Sequence, residues 1–218
     1  GVPSCVMTFE PHPRDYFAQR SGQPELAPAR IATLRDKLGA LQRCGVDQVV
    51  VMRFDQRFAG QAPQAFIDDV LMAGLGARYV LVGDDFRFGA KRAGDYAMLD
   101  AAGAKQGFDV ARMMSYEVHG LRVSSSAVRE ALADGDRARA AALLGRPYSI
   151  SGHVQHGRKL GRTLGTPTLN LGFGHQRPAA QGVFAVQVHG LGDVPLPGVA
   201  NLGGRPTVED AGRQLLEV

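Results

Sequence analysis

The chain has 218 residues, 44% of them hydrophobic and 21% charged, and this composition excludes a wholly disordered protein. Its 25 Lys and Arg nearly balance 21 Asp and Glu, so the formal net charge is only +4, which favours local anion sites over a nucleic-acid surface. Because Cys5 and Cys44 lie in no CxxC pair, we expect no disulfide framework and no zinc site. No apolar run reaches the about 18 residues of a membrane span, so we expect a cytoplasmic protein without a membrane partner.

The first half of the chain alternates apolar strands with amphipathic helices. The strands are predicted at residues 2–9, 46–54, 79–82 and 108–114. The helices are predicted at residues 29–43, 62–75 and 95–105, and two shorter ones follow at 127–133 and 137–144. This order is typical of an α/β fold with parallel strands, in which ligands bind outside the carboxyl ends of the strands. We therefore expect the loops after these strands to carry the chemistry.

After Pro147 the pattern changes to short β runs separated by turns. These runs lie in YSISGHV, TPTLNL, GVFAVQV, PGVANL and QLLEV. Such a pattern is typical of a small antiparallel β-barrel. We therefore predict an α/β domain over residues 1–144 and a β domain over residues 145–218.

Two loops of the first domain have unusual compositions. In FEPHPRDYF, Pro11 and Pro13 predict a stiff extended turn, and Phe17 follows at a distance suited to a flat apolar wall. In GDDFRFG, core packing explains one of the two phenylalanines, but a planar ligand could contact the other, with Asp85 as its polar contact.

The segment VSSSAVRE enters a predicted helix. Its three serines, Ser124, Ser125 and Ser126, are typical N-cap residues, and capping alone explains them. A helix N-terminus with unpaired amides, hydroxyls and Arg129 one turn further is also a phosphate site. The two interpretations are compatible.

The stretch SGHVQHGRKLGRTLGTPTLNL, residues 151–171, combines glycines with basic residues. Gly157 and Gly161 allow close backbone approach beside positive charge, which suits a phosphate cradle, although an ordinary basic hairpin uses the same residues. Thr168 and Asn170 alternate on the following strand, so both point to one face, where they could hold Mg²⁺ beside phosphates. A structural Thr and Asn at a strand edge is the simpler alternative.

Taken together, six segments resemble the bifunctional riboflavin kinase/FAD synthetase family of bacteria, in that family's order and spacing. They are TFEPHPRDYF, VGDDFRFGAKRAGD, VSSSAVRE, LLGRPYSISGHVQHGRKLGRTLGTPTLNL, GVFAV and GVANLGGRPTV. The resemblance implies a Rossmann-like nucleotidyltransferase domain, which joins FMN to AMP from ATP and releases pyrophosphate. It also implies a riboflavin kinase barrel, which makes FMN from riboflavin and ATP.

The resemblance further implies roles for particular residues. In the transferase, the implied flavin-binding residues are Pro11, Pro13, Phe17, Asp85 and Phe88, and the implied nucleotide-binding residues are Ser125, Ser126 and Arg129. In the kinase, the implied nucleotide-binding residues are Gly157, Gly161 and Thr168, and the implied Mg²⁺ ligands are Thr168 and Asn170. Glu217 would accept the proton of the ribityl 5′-hydroxyl during attack on the γ-phosphate of ATP. Without the resemblance, Glu217 is an ordinary surface carboxylate.

The chain departs from the family pattern in three places. The family's HxGH-type phosphate motif lies upstream of the first strand, and none of the six histidines here stands in such a motif. The family's kinase domain also continues beyond the position of Val218, and Thr166 replaces an aromatic or apolar residue. We therefore expect these 218 residues alone to be weak or inactive, and the full-length protein to make FMN and FAD.

Two other functions compete with this interpretation. One is a flavin-binding module without turnover, which a riboflavin titration compared with a turnover assay would distinguish. The other is a nucleotidyltransferase for a different small substrate, although the glycine segment of the second domain does not fit that function.

Overall fold

The structure is a computed structural model and describes residues 1–155, 168–173, 177–204 and 214–218. The chain divides into two compact units that are not consecutive in sequence. The α/β unit comprises Cys5–Ala27 and Gln48–Arg122, and the sheet unit comprises Gly1–Ser4, Pro28–Asp47 and Val123–Val218. Each unit has its own hydrophobic core.

Helices and strands have the following bounds. The helices are α1 (Pro13–Arg20), α2 (Leu34–Arg43), α3 (Gln56–Ala59), α4 (Pro63–Ala65), α5 (Tyr96–Gln106), α6 (Ser125–Ala133) and α7 (Arg137–Leu144). The strands are β1 (Cys5–Glu10), β2 (Gln48–Arg53), β3 (Tyr79–Gly83), β4 (Asp109–Met113), β5 (Glu117–Val118), β6 (Leu121–Arg122), β7 (Val154–Gln155), β8 (Asn170–Gly172), β9 (Gly182–Val188), β10 (Leu196–Gly204) and β11 (Gln214–Glu217). Helix α4 continues as a π-helix over Phe66–Gly74. Of the helices described, none has the length and apolar character needed to cross a membrane.

The α/β unit contains the predicted parallel strands. β1 pairs with β2 and β3 pairs with β4, and both pairings are parallel. Ile67, in the π-helical continuation of α4, and Leu99 of α5 lie in the core and are 0% exposed. Because full burial of such a side chain contributes about 1.5–3 kcal/mol, these helices are held to the unit mainly by their apolar faces. The predicted alternation of strands and helices is confirmed.

The sequence did not predict helix α1. The proline segment predicts an extended turn, but the chain is extended only as far as His12 and becomes helical at Pro13. The ring Nδ1 of His12 accepts a hydrogen bond from the Arg14 backbone N–H at 3.2 Å and so caps the helix. Proline is well tolerated in the first turn of a helix, where its missing N–H leaves no bond unmade.

The predicted helix at residues 29–43 begins only at Leu34. The Thr33 hydroxyl accepts a hydrogen bond from the Asp36 N–H at 3.1 Å, and the Asp36 carboxylate accepts one from the Thr33 N–H at 3.4 Å. This capping box fixes the start of α2. The preceding residues instead pair with another segment, because the Arg30 N–H donates to the Arg177 carbonyl oxygen at 2.7 Å.

The sheet unit contains a five-stranded antiparallel sheet in the order β7-β8-β11-β10-β9. One face packs against α6 and α7, because Leu202 and Leu216 of the sheet belong to the same buried cluster as Val128 and Leu143 of the helices. Since side chains alternate along a strand, the residues next to these leucines project from the other face. The predicted antiparallel β domain is confirmed.

Candidate active sites

A row of polar residues crosses the sheet unit. Gln155 of β7 lies opposite Asn170 of β8, Asn170 lies opposite Glu217 of β11, and Glu217 lies opposite Asn201 of β10. Residues directly opposite one another on neighbouring strands place their side chains on the same face. The adjacent residues on β8, β10 and β11 are leucines that pack in the core or against it, namely Leu171, Leu202 and Leu216. These four residues, the polar row, therefore share the face opposite the core.

Asn170 and Glu217 are the closest pair within the polar row. The adjacent residues Leu169 and Val218 exchange two backbone hydrogen bonds, with N to O distances of 2.7 and 2.9 Å. The next pair along these strands is therefore of the non-hydrogen-bonded kind, in which Cα atoms lie about 4.5 Å apart and side chains approach most closely. The residue predicted as the general base thus neighbours a residue predicted to bind metal, and both roles stay predictions.

Asn170 has an environment that suits a metal ligand. It is 9% exposed, and its buried Oδ1 has no hydrogen-bond partner in the described part of the chain. Such an orphaned oxygen is unusual and points to a bound ion or water. Thr168 is exposed and precedes Asn170 by two residues, a spacing at which extended backbone places both side chains on one face. Amide, hydroxyl and carboxylate oxygens are the donors that Mg²⁺ prefers, so the residues present fit this ion.

Glu217 is the single ionisable side chain in β7 to β11 as the structure describes them. Its cross-strand neighbours are the amides of Asn170 and Asn201. Asn201 was not predicted from the sequence, although a polar residue between Ala200 and Leu202 in an apolar strand is a recognisable signal.

The predicted phosphate-binding glycines Gly157 and Gly161 lie outside the described residues. The segment just before them is anchored to α2. Asp36 accepts a hydrogen bond from the Ser151 N–H at 3.1 Å, and Nη2 of Arg35 lies 2.7 Å from Nε2 of His153. Burial, and then the negative charge of Asp36, raises the pKa of Tyr148 to about 12, so this phenol is neutral at physiological pH.

The three serines at the start of α6 have different environments. The Ser124 hydroxyl accepts a hydrogen bond from the Ala127 N–H at 3.1 Å and is therefore the N-cap. Ser125 and Ser126 are exposed in the first helical turn. Capping thus accounts for Ser124, and the hydroxyls of the other two serines stand at a helix N-terminus, where anions are favoured.

Arg129 borders a cavity of about 430 Å³ in the sheet unit. Its Nε donates a hydrogen bond to the Ala29 carbonyl oxygen at 2.7 Å, which fixes the position of the guanidinium. Arg177 also lines the cavity, as does Glu130, whose carboxylate pairs with Arg139 at 2.9 Å. Two arginines in one cavity suit an anionic group such as a phosphate.

The residues predicted to bind flavin lie in the α/β unit, where ring contacts connect two of them. Phe17 contacts Phe54 at 5.8 Å, Phe54 contacts Phe58 at 5.6 Å, Phe58 contacts Phe66 at 6.2 Å, and Phe66 contacts Phe88 at 5.3 Å, all between ring centroids. At one end of this series, Phe17 is 53% exposed, so its ring is accessible to a planar ligand, and its flavin contact stays a prediction.

Phe88 lies at the buried end of the same series. It is 6% exposed, and its ring stacks on Phe86 with centroids 5.5 Å apart. The half-buried Phe86 is therefore the more accessible ring of GDDFRFG, and the flavin contact of Phe88 stays a prediction. Asp85 is exposed, as a polar ligand contact requires. Pro11 and Pro13 are half-buried at the start of α1.

Two family models match this chain in succession. The FAD synthetase model matches residues 1–127, and the riboflavin kinase model matches residues 144–218.

Proteins with known names are similar over the whole chain. The bifunctional riboflavin kinase/FMN adenylyltransferase of Escherichia coli strain K12 is 51% identical over 217 residues, which cover 100% of this chain and 67% of that protein. The protein of the same name from Pseudomonas fluorescens is 48% identical over 218 residues, covering 100% of this chain and 68% of that protein. A crystal structure of a Streptococcus pneumoniae protein named as a macrolide-efflux protein has a similar fold, with a TM-score of 0.76 and 27% identity, covering 99% of this chain and 68% of that one.

Proposed function

Since the chain belongs to the bifunctional riboflavin kinase/FMN adenylyltransferase family, we propose that it phosphorylates riboflavin to FMN and adenylylates FMN to FAD, with ATP as co-substrate. The kinase domain would comprise residues 145–218 and the transferase domain residues 1–144, in the cytoplasm. The observation that supports the kinase site best is that Glu217 lies directly opposite Asn170, whose buried amide oxygen has no hydrogen-bond partner among the described residues.

The kinase reaction requires a base and a way to balance the charge of the phosphates. Glu217 accepts the proton of the ribityl 5′-hydroxyl as that oxygen forms a bond to the γ-phosphorus, and the bond from this phosphorus to the β,γ-bridging oxygen breaks. ADP leaves with the electron pair of that bond. If held by Thr168 and Asn170, Mg²⁺ would neutralise negative charge on the phosphates. Gly157 and Gly161 would cover the nucleotide.

The transferase reaction uses different residues. A phosphate oxygen of FMN attacks the α-phosphorus of ATP, and pyrophosphate leaves. We assign the nucleotide phosphates to Ser125, Ser126 and Arg129, a proposal supported by exposed hydroxyls at the start of α6 and by the arginine-lined cavity. We assign the flavin to Pro11, Pro13, Phe17, Asp85 and Phe88, a proposal supported by the exposed ring of Phe17.

Glu217→Gln in the full-length protein tests the kinase assignment. We expect phosphorylation of riboflavin to fall about 100-fold or more, because the amide cannot accept the proton. Adenylylation of supplied FMN should stay within about twofold of wild type. Both products are followed by chromatography. Glu117→Gln is the matched control, because it removes a carboxylate from an exposed residue of a strand in the α/β unit.

Two results would contradict the proposal. If both activities of the Glu217 variant fall together, Glu217 is not specific to the kinase. If the wild-type protein binds riboflavin in a fluorescence titration but forms no FMN with Mg-ATP, it is a flavin-binding module without turnover.

A further inference from the structure

Asn201 has only one polar partner within its row. On one side of Asn201, β10 places it opposite Glu217, and on the other side it lies opposite Val183, which is 68% exposed. Asn201 is itself exposed. Its amide is therefore available to the carboxylate beside it.

The two asparagines that flank Glu217 differ in environment. Asn170 is buried and its Oδ1 fits a cation, whereas Asn201 stands on the more open side of the carboxylate. An asparagine amide carries two N–H donors, and a carboxylate accepts several hydrogen bonds. A donor on one side can hold one carboxylate oxygen while the other oxygen stays available to the substrate hydroxyl.

A neutral amide is also the electrostatically suitable neighbour for a general base. A second carboxylate at this position would disfavour the ionised form of Glu217, and a lysine would hold it in an ion pair and weaken it as a base. The facing side chains in β7, β8, β9 and β10, as far as the structure describes them, contain no ionisable group. The described strands therefore place two neutral amides, those of Asn170 and Asn201, directly opposite Glu217.

We infer that Asn201 is a positioning residue of the kinase site, whose amide orients the carboxylate of Glu217 toward the hydroxyl that is phosphorylated. This inference rests on the proposed kinase function and adds a residue to it. Asn201 acts through Glu217 and needs no contact with the reacting phosphate.

Substitutions of Asn201 in the full-length protein test this role. We expect Asn201→Ala to lower kcat for riboflavin phosphorylation about tenfold while KM for ATP changes less than about twofold, because the base is misplaced and the nucleotide site is intact. Asn201→Ser, which restores a donor, should recover part of the lost kcat. Loss of fold is monitored by thermal unfolding of each variant.

The pH profile provides a reading that a structural role would not change. Asn201→Asp should move the acid limb of kcat/KM upward by about one pH unit or more, since like charges oppose each other's ionisation. Gln187→Asp adds the same charge on the same face of β9, opposite Pro197 and outside the polar row, and should leave the limb in place.

Three outcomes would contradict the positioning role of Asn201. The inference is overturned if Asn201→Asp has the wild-type acid limb, or if Asn201→Ala keeps the wild-type kcat, while Glu217→Gln still abolishes phosphorylation. If Glu217→Gln itself leaves phosphorylation intact, the proposed kinase site fails, and the inference fails with it.

Discussion

A single residue, Glu217, shows what structure adds to sequence at the smallest scale. In the sequence it is one of 21 acidic residues, and nothing local distinguishes it. In the structure it lies opposite Asn170 and Asn201 in a sheet whose described strands contain no other ionisable side chain. Its proposed role as a base depends on those neighbours, which only strand register identifies.

The three serines at the start of α6 give a prediction at this scale. Ser124→Ala should lower the free energy of unfolding by about 1 kcal/mol, because it removes the N-cap hydrogen bond to the Ala127 N–H. Ser125→Ala and Ser126→Ala should change it by less than about 0.5 kcal/mol, since both side chains are exposed. Both should nevertheless raise KM for ATP in adenylylation several-fold, as measured by FAD formation from FMN.

The measured KM for ATP can refute the assignment of the nucleotide phosphates to Ser125 and Ser126. If Ser125→Ala and Ser126→Ala leave KM for ATP unchanged, the segment VSSSAVRE serves capping alone. Urea unfolding of the three variants keeps the stability effect separate from the kinetic one.

At the scale of elements, two helical glycines differ in what surrounds them. A Cβ at Gly103 of α5 would overlap the carbonyl oxygen of Phe108, a backbone atom that cannot move aside cheaply. A Cβ at Gly39 of α2 would find only the Arg43 side chain, at 3.5 Å. The two positions therefore separate close packing from helix propensity.

Gly103→Ala should destabilise the protein by about 1–3 kcal/mol, because the added methyl forces α5 away from the residues that lead into β4. Gly39→Ala is the matched control and should stabilise by about 0.5–1 kcal/mol, because alanine favours the helix. Thermal unfolding measures both. A Gly103→Ala variant as stable as wild type would mean that α5 is not packed against Phe108 in this way.

Periodicity predicted the long elements and failed on the short or unusual ones. The four parallel strands and α5 follow from apolar runs with clear boundaries. Helix α1 was not predicted because the two prolines at its start indicate extended backbone, and the sequence does not show that His12 caps a helix. Strands β5 and β6 are two residues each, too short to show a periodic pattern. The proposed kinase residues were named by family resemblance, whereas their mutual placement depends on pairings between residues far apart in sequence.

At the scale of the whole molecule, the compact units do not follow the chain. Helix α2, at residues 34–43, belongs to the sheet unit together with residues 123–218. The hydrogen bonds from Ser151 to Asp36 are an example, because they join residues 115 apart. Sequence patterns describe consecutive stretches, so they could not have predicted this division. The boundary between the two proposed domains, at residues 144 and 145, stays a proposal.

We propose that riboflavin is phosphorylated at the pair formed by Asn170 and Glu217, separately from adenylylation. The most direct test is the free Mg²⁺ dependence of both reactions, at fixed ATP, in the full-length wild type and in Asn170→Ala. Because the Asn170 Oδ1 has no hydrogen-bond partner among the described residues, its removal should cost little stability. We predict that half-saturating Mg²⁺ rises about tenfold or more for phosphorylation and stays unchanged for adenylylation. An equal shift in both reactions, or no shift in phosphorylation, would contradict the account.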